Sequence, residues 1–170
     1  MPQDKIVMST HLLGGGFGRR LNGDHGVPAL LAAQALGKPV KVVLSREDDS
    51  RFDSVRSPSV QRLSMAFDAQ RNVLGMQHAA SARWPTAELA APLQGTAGNG
   101  EKYDPFAING ADHWYAVGVH QMCAVMNDLA QETFRPCWLR SVAPRWINWA
   151  SESFMDEAAN EAGVDPLEFR

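Results

Sequence analysis

The run Gly14-Gly15-Gly16-Phe17-Gly18-Arg19-Arg20 is where this sequence is best equipped to do chemistry. Consecutive glycines let a backbone turn tightly and approach a bound group closely. The N–H groups of such a turn, set near a helix start, converge where an anion is favoured. Arg19 and Arg20 add fixed positive charge and planar donor forks at the loop exit. A second stretch, Trp138-Leu139-Arg140-Ser141-Val142-Ala143-Pro144, sets another arginine in a turn far downstream. Taken alone, each stretch reads as a surface turn with solvated arginines.

The glycine loop does not fit the nucleotide templates. A Gly-x-Gly-x-x-Gly fingerprint begun at Gly14 needs glycine at position 19, and one begun at Gly16 needs it at 21. Arg19 and Leu21 stand there instead. No Gly-Lys-Ser/Thr triplet follows, so a Walker loop is a minor alternative as well. Other candidate groups are sparse. Cys123 and Cys137 are the only cysteines, too few for an iron–sulfur cluster, and nothing in their context demands a disulfide. The five histidines show no tight ligand spacing; His120 and Cys123 lie three apart without a third ligand, which argues against zinc. Glu47, Asp48 and Asp49 read as an acidic turn. Glu152 and Asp156 share a helix face at i, i+4.

The elements that must position these groups follow from periodicity. Residues 5–11 are apolar and partly β-branched, a strand leading into the glycine loop. Asp24 to Leu36 carries alanines and leucines at helical spacing, closed by Gly37, and Pro39 to Leu44 is a short β-rich strand. This predicts a strand–loop–helix–strand unit. Arg46 to Pro58 reads as an irregular crossing. Val60 to Phe67 alternates, a turn follows at 68–72, and Val73 to Ala82 returns as a hairpin partner. Residues 86–110, rich in Ala, Gly, Pro and Asn, read as a long loop or linker, where a lobe boundary would fall. His113 to Met126 reads as a strand, and Ile147, Ala150, Phe154 and Ala158 form the stripe of a helix running to Ala162. Trp146, Trp149 and Phe154 are expected to leave apolar surface on that helix and favour self-association. The fold class is α+β.

Composition narrows the function classes. With 170 residues, 45% hydrophobic and 21% charged, the chain suits a core-bearing globular domain. A net charge of -3 offers no electrostatic case for nucleic acid, and no apolar run approaches a membrane span. The first residues lack the pattern of a secretory signal, and cytoplasm and periplasm both stay open. At the other end, Asp165-Pro166-Leu167-Glu168 opens a helix with a capping-box pattern just before Arg170, which predicts a fragment of a longer chain.

Taken in order, these motifs resemble the molybdenum-binding large subunit of the xanthine dehydrogenase and aldehyde oxidase family, and within it the beta subunit of the isoquinoline 1-oxidoreductase type. The likeness is carried by the glycine loop, Asp24, Gly37 to Val43, and Arg46-Glu47-Asp48-Asp49. It continues through Leu139 to Ala143, Glu152-Ser153-Phe154-Met155-Asp156-Glu157 and Gly163 to Arg170. It spans nearly the whole chain. Departures are Arg20 where many members have a glutamate, Pro28 where a glutamate is usual, and Ala143 in place of a glycine.

The resemblance implies a molybdopterin-binding-like domain fragment over residues 1–170, with a molybdenum–molybdopterin cofactor in the complete protein. It implies oxidation of an aldehyde or N-heterocycle with water as oxygen source. Gly15, Gly16, Phe17, Gly18, Arg140, Ser141 and Glu152 are the implied cofactor-binding residues. Phe17 would offer a backbone N–H and bound the substrate cavity with its ring, and Arg140 would stabilise developing negative charge. The general base, a glutamate of the family, falls outside these residues, so no catalytic residue is assignable here. Implied partners are a small-molecule substrate, an iron–sulfur subunit and the remainder of the large subunit. The competing readings are a non-catalytic binding or assembly module that keeps the fold, and an anion-binding domain that uses the glycine loop.

Overall fold

The core is built on the hairpin that the alternating pattern predicts. In the computed structural model, which describes residues 2–170, β1 and β2 are that hairpin. In chain order the elements are α1 (Gly26–Leu36), α2 (Arg46–Phe52), β1 (Ser59–Phe67), β2 (Val73–Ala82), α3 (Pro85–Leu89), β3 (Gly95–Thr96) and β4 (Lys102–Tyr103). They continue with α4 (Pro105–Ile108), β5 (Val119–Met126), α5 (Asp128–Thr133), α6 (Ala143–Ala162) and α7 (Pro166–Phe169). Strand β5 joins the hairpin in the order β1-β2-β5, antiparallel between β1 and β2 and parallel between β2 and β5. The fold is therefore α+β, with a mixed three-stranded sheet.

Helix α6 covers one face of that sheet. Trp146, Ile147 and Ala143 pack with Ala80, Ile108 and Ala111, while Met155 packs with Met76 and Val117. The long apolar stripe read from the sequence is thus the inner face of α6, with one correction. Trp146 is buried at 9% exposure and Phe154 packs half-buried on the Met76 cluster, so only Trp149, at 72%, stands out. Gly163 ends α6 in the left-handed region at φ 73°, and Asp165 caps α7 by accepting from Leu167 N and Glu168 N.

Four further expectations change. The strands expected over 5–11 and 39–44 do not form: Lys5 closes the 3-10 turn Gln3–Lys5, and residues 6–11 and 39–44 are irregular and pair with no strand among the described residues, so the expected strand–helix–strand unit is present only as loop–helix–loop. An extended segment becomes a strand only when a neighbour completes its ladder. Residues 46–52 are helical, because Ser45 accepts a hydrogen bond from Asp48 N and the first turn carries Glu47, Asp48 and Asp49 against the helix dipole. Residues 86–110 form α3, β3, β4 and α4, anchored by buried Thr86, Asp104, Ala107 and Ile108. The buried Asp104 carboxylate accepts from Thr86 N at 2.7 Å and Phe106 N at 2.9 Å, which ties α3 to α4. Finally, the strand expected over 113–126 begins only at Val119, and helix α5 follows it, capped by Asn127. Pro28 falls in the first turn of α1, where a missing N–H costs no helical bond.

Candidate functional site

The glycine loop has the backbone its sequence requires. Gly15 and Gly18 lie at φ 116° and 77°, and Phe17 between them is held at φ 51°. The Arg19 and Arg20 N–H groups fold back on the Gly16 carbonyl at 3.0 and 3.4 Å, starting the 3-10 turn Arg19–Leu21. The N–H groups of Gly15, Gly16, Phe17 and Gly18 donate to no acceptor among the described residues. The Phe17 ring is more than half exposed. These are free donors on a short, bent backbone beside an apolar ring.

The Arg140 loop meets this turn directly. The Arg140 N–H donates to the Phe17 carbonyl at 2.8 Å, and the Arg140 guanidinium lies over the Phe17 ring at 5.5 Å. Gly18 lies so close to the Trp138 carbonyl that a Cβ there would collide with it. Asn22 Nδ2 reaches the Pro136 carbonyl at 3.4 Å. Six of the seven residues expected to bind the cofactor, Gly15 to Gly18, Arg140 and Ser141, therefore share one seam of backbone. Ser141 and Val142 both sit at positive φ, 68° and 41°, with Val142 at ψ −122°. Two consecutive non-glycine residues in that region are costly, and such strain concentrates at functional sites. Ala143, in place of a glycine, begins α6 fully buried.

Glu152 sits in a different setting. The Tyr115 hydroxyl donates to both of its carboxylate oxygens at 2.8 and 3.0 Å, and Arg170 Nε donates at 3.1 Å. Arg170 also bonds the Glu152 carbonyl and pairs with Asp156 at 2.9 Å. None of these partners belongs to either loop.

The two loop arginines divide their roles. Arg19 is paired with Asp53 and with Asp24 at 2.7 Å, and Asp24 pairs again with Arg135 at 3.0 Å. Burial alone would raise the Asp24 pKa, but the Arg19 hydrogen bond and the two guanidinium charges hold it below the usual carboxylate value. So Arg19 fastens the loop to the turn before α1 and to the segment after α2, and its charge is already balanced. Arg20 has no carboxylate partner among the described residues. It lines an open cleft of about 760 Å³ together with Arg19, Asp24, Arg46, Phe52 and Arg135.

Two groups escape a reading of the sequence. Arg56 Nη1 donates to the Arg140 carbonyl at 2.9 Å and to the Leu139 carbonyl at 3.4 Å. His113 and His120 stack with ring centroids 4.8 Å apart near fully buried His78. The register of β2 and β5 sets Met76 against His120 and His78 against Met122, which places both histidines on the inner face of the sheet. No spacing along the chain signals that meeting. No group of His, Cys, Asp or Glu among the described residues is arranged to hold a metal ion. The donor set at the two loops suits the oxygens of an anionic or oxo-bearing group, held by hydrogen bonds and charge and not by side-chain ligation.

Comparison with known proteins gives the loops a context. A family model described as the molybdopterin cofactor-binding domain matches residues 1–170. The membrane-bound aldehyde dehydrogenase (pyrroloquinoline-quinone) of Gluconacetobacter polyoxogenes is 53% identical over 171 residues, covering 100% of this chain and 22% of that protein. The beta chain of the isoquinoline 1-oxidoreductase of Brevundimonas diminuta is 30% identical over 168 residues, covering 98% of this chain and 21% of its own length. A chain of the nicotinate dehydrogenase of Pseudomonas putida is 28% identical over 163 residues, covering 92% of this chain and 13% of its own. The isoquinoline-type likeness is real, and the aldehyde dehydrogenase stands well above it in identity. The chain spans about a fifth or less of the length of these relatives. No described helix is long and apolar enough to cross a membrane.

Proposed function

The chain belongs to the molybdopterin cofactor-binding domain family, and from that premise we propose that it forms part of the large subunit of a molybdenum hydroxylase. The substrate class we assign first is an aldehyde, after the 53% identical relative, with N-heterocycles second, after the isoquinoline and nicotinate enzymes. The observation that carries the reading is the seam at which Arg140 N–H meets the Phe17 carbonyl, leaving four neighbouring N–H donors free.

When bound, the cofactor supplies two-electron oxidation with water as the source of oxygen. The chain's own residues supply position and field. The free N–H groups of Gly15 to Gly18 would hold acceptor oxygens, and the Phe17 ring would exclude water from one wall of the substrate space. Arg140, stacked on that ring, would keep its charge beside the place where negative charge grows on the substrate oxygen or ring nitrogen. No residue of this chain is assigned as the general base, which we place in the remainder of the large subunit. Electrons would leave through an iron–sulfur partner, as the resemblance to the molybdenum hydroxylases implies.

The exposed apolar surface supports a longer polypeptide around this domain. Helix α1 has no charged side chain and no buried residue, and Leu30, Leu31 and Leu36 each lie more than half exposed. Val7, Met8, Leu12 and Val43 on the flanking irregular segments are exposed too. A helix that is apolar on all sides belongs inside a protein.

A quinone-dependent reading has one observation in its favour, the pyrroloquinoline quinone in the name of the Gluconacetobacter polyoxogenes relative. Metal and cofactor analysis of the full-length protein decides between them. Molybdenum near one per large subunit, with activity on aldehydes, is the expected result. A protein without molybdenum that needs added pyrroloquinoline quinone for turnover would overturn the proposal.

A further inference from the structure

We propose that Arg56 is a positioning residue that holds the Arg140 loop in its strained shape by donating to the carbonyls of Leu139 and Arg140. The inference rests on the reading of that loop as cofactor-facing.

The need for a clamp comes from the turn itself. Ser141 and Val142 both occupy positive φ, and Val142 is β-branched, so each is unfavourable unless the surroundings enforce it. On the far side, fully buried Ala143 opens α6 and fixes where the turn must end. On the near side, the Phe17 carbonyl holds only the Arg140 N–H, and inside the turn the Val142 N–H donates to the Leu139 carbonyl at 3.0 Å, which leaves the Arg140 carbonyl with no backbone donor among the described residues. Arg56 takes both, the Arg140 carbonyl at 2.9 Å and the Leu139 carbonyl at 3.4 Å. Without it the Arg140 carbonyl loses its donor, the peptide plane between Arg140 and Ser141 is free to rotate, and the Arg140 side chain loses its direction.

Arg56 is itself set firmly for this work. It lies on the segment between α2 and β1, which is laced to residues 135–137. Val55 N–H donates to the Arg135 carbonyl at 3.2 Å, Cys137 Sγ to the Val55 carbonyl at 3.5 Å, and Arg135 Nη1 to the Phe52 carbonyl at 3.4 Å. The next residue, buried Ser57, donates to the Arg83 carbonyl at 3.1 Å. The guanidinium forms no ion pair with a carboxylate among the described residues. Burial first, and then the charge of Arg145, lower its pKa from the ordinary arginine value. A half-buried cation without a counter-ion is retained here for the sake of two carbonyl oxygens, and those oxygens frame the residue that carries the site's charge.

The test uses the full-length protein with Arg56→Ala, with Arg56→Lys as the conservative variant, and with Arg62→Gln on the exposed side of β1 as a control. Amide hydrogen exchange in peptides covering 138–143 should accelerate roughly tenfold in Arg56→Ala and remain unchanged in Arg62→Gln. The value of kcat should fall roughly tenfold or more with KM little changed, because misplacement of a charged group lowers the rate of the bound complex. Arg56→Lys should lie between the two on both measurements. Unchanged exchange at 138–143 overturns the proposal. So does acceleration spread over the whole domain with kcat falling only in step with the folded fraction, which is the signature of a merely structural residue. Should Arg56→Ala not accumulate, Arg56→Met preserves the stem and carries the same comparison. Arg140→Ala run in parallel separates this proposal from the reading beneath it. Full activity in Arg140→Ala would remove the cofactor-facing role of the loop, while the exchange data would still decide whether Arg56 holds it.

Discussion

Arg140 N–H donates to the Phe17 carbonyl at 2.8 Å, and beside this bond Gly18 is pressed against the Trp138 carbonyl. The glycine loop and the arginine loop, far apart in sequence, are thus one structural object. Each fixes the other: the arginine segment gives the glycine loop a wall, and the glycine loop admits that wall only because one residue lacks a side chain.

Gly18→Ala should therefore break the seam. The residue lies at φ 77°, which L side chains resist, and its Cβ has no room before the Trp138 carbonyl. The expected loss is about 3 kcal/mol or more of domain stability, combining backbone strain with overpacking. Thermal unfolding of the full-length protein measures it. Gly14→Ala is the matched control, since a Cβ there meets nothing within 4 Å and φ is not positive. Equal melting temperatures for the two variants would refute the seam.

Arg140→Ala should lower kcat by about 100-fold in the full-length enzyme, the scale for loss of a preorganised charge at a reacting centre. Arg140→Lys should recover only part of that. Lysine keeps the charge but loses the planar guanidinium that stacks on Phe17 at 5.5 Å. Steady-state kinetics with an aldehyde reads both values. A lysine variant as active as the parent would show that point charge alone matters.

Much of this was legible in the sequence where local rules and tertiary structure agree. The hairpin emerged from alternation because each strand turns one face inward, half-buried along β1 and largely buried along β2, and α6 emerged from a stripe that the sheet covers. Gly163 and Asp165-Pro166 declared themselves because caps are local chemistry. The failures have equally specific causes. Residues 5–11 and 39–44 have strand composition, yet strandedness depends on a partner. Helix α2 is short and polar, so no apolar period revealed it, although Ser45 followed by Glu47, Asp48 and Asp49 was a readable start signal. Residues 86–110 looked like a linker because their anchors, Thr86 and Asp104, are polar and become core only by satisfying each other. At the site, the loops were found by motif, while Arg56 and the histidine stack depend on packing that no spacing announces.

Asp104→Asn tests that polar anchor. The carboxylate is fully buried, and burial raises its pKa while its hydrogen bonds from Thr86 and Phe106 oppose the rise. The amide would keep one acceptor oxygen and turn an NH2 toward an N–H donor. A loss of about 2 kcal/mol is expected, the cost of an unsatisfied buried group. Denaturant midpoints measure it, and a neutral outcome would show that the segment carrying α3 and α4 is not held there.

Glu152→Gln should behave as a tether variant. Its partners are the Tyr115 hydroxyl and Arg170, on an exposed surface where such pairs are worth about 1 kcal/mol or less. The expected outcome is a small drop in stability with kcat within about twofold of the parent, because no partner of Glu152 lies on either loop. Loss of bound molybdenum in this variant would instead place Glu152 at the cofactor.

His78 should make the stability of the domain depend on pH between about 4 and 6.5. Its side chain is fully buried, Nε2 lies 2.8 Å from Gln61 Oε1, and Nδ1 has no partner among the described residues. Burial first, then the neighbouring His120 and His113, lower its pKa to about 4 from an ordinary value of 6.5. Around this cluster the titratable groups are His120 from β5, His113 and Asp112 from the preceding segment, and Glu152 from α6, which acts on His113. As pH falls below 6.5 the unfolded chain takes up a proton that the fold refuses, so stability is lost progressively until His78 itself protonates near pH 4. Spread over that interval the loss is about 3 kcal/mol, at about 1.4 kcal/mol for each unit of displacement. Asp104 works in the opposite sense, since a raised carboxyl pKa favours the fold at lower pH, and Asp24 contributes only as its own carboxylate protonates. The measurement must therefore be a difference. Denaturant midpoints of the parent and of His78→Gln, taken at pH 7.5 and 4.5, isolate the histidine from both carboxylates. The parent should lose more stability than the variant across that interval, and parallel losses would show that His78 protonates freely in the folded protein.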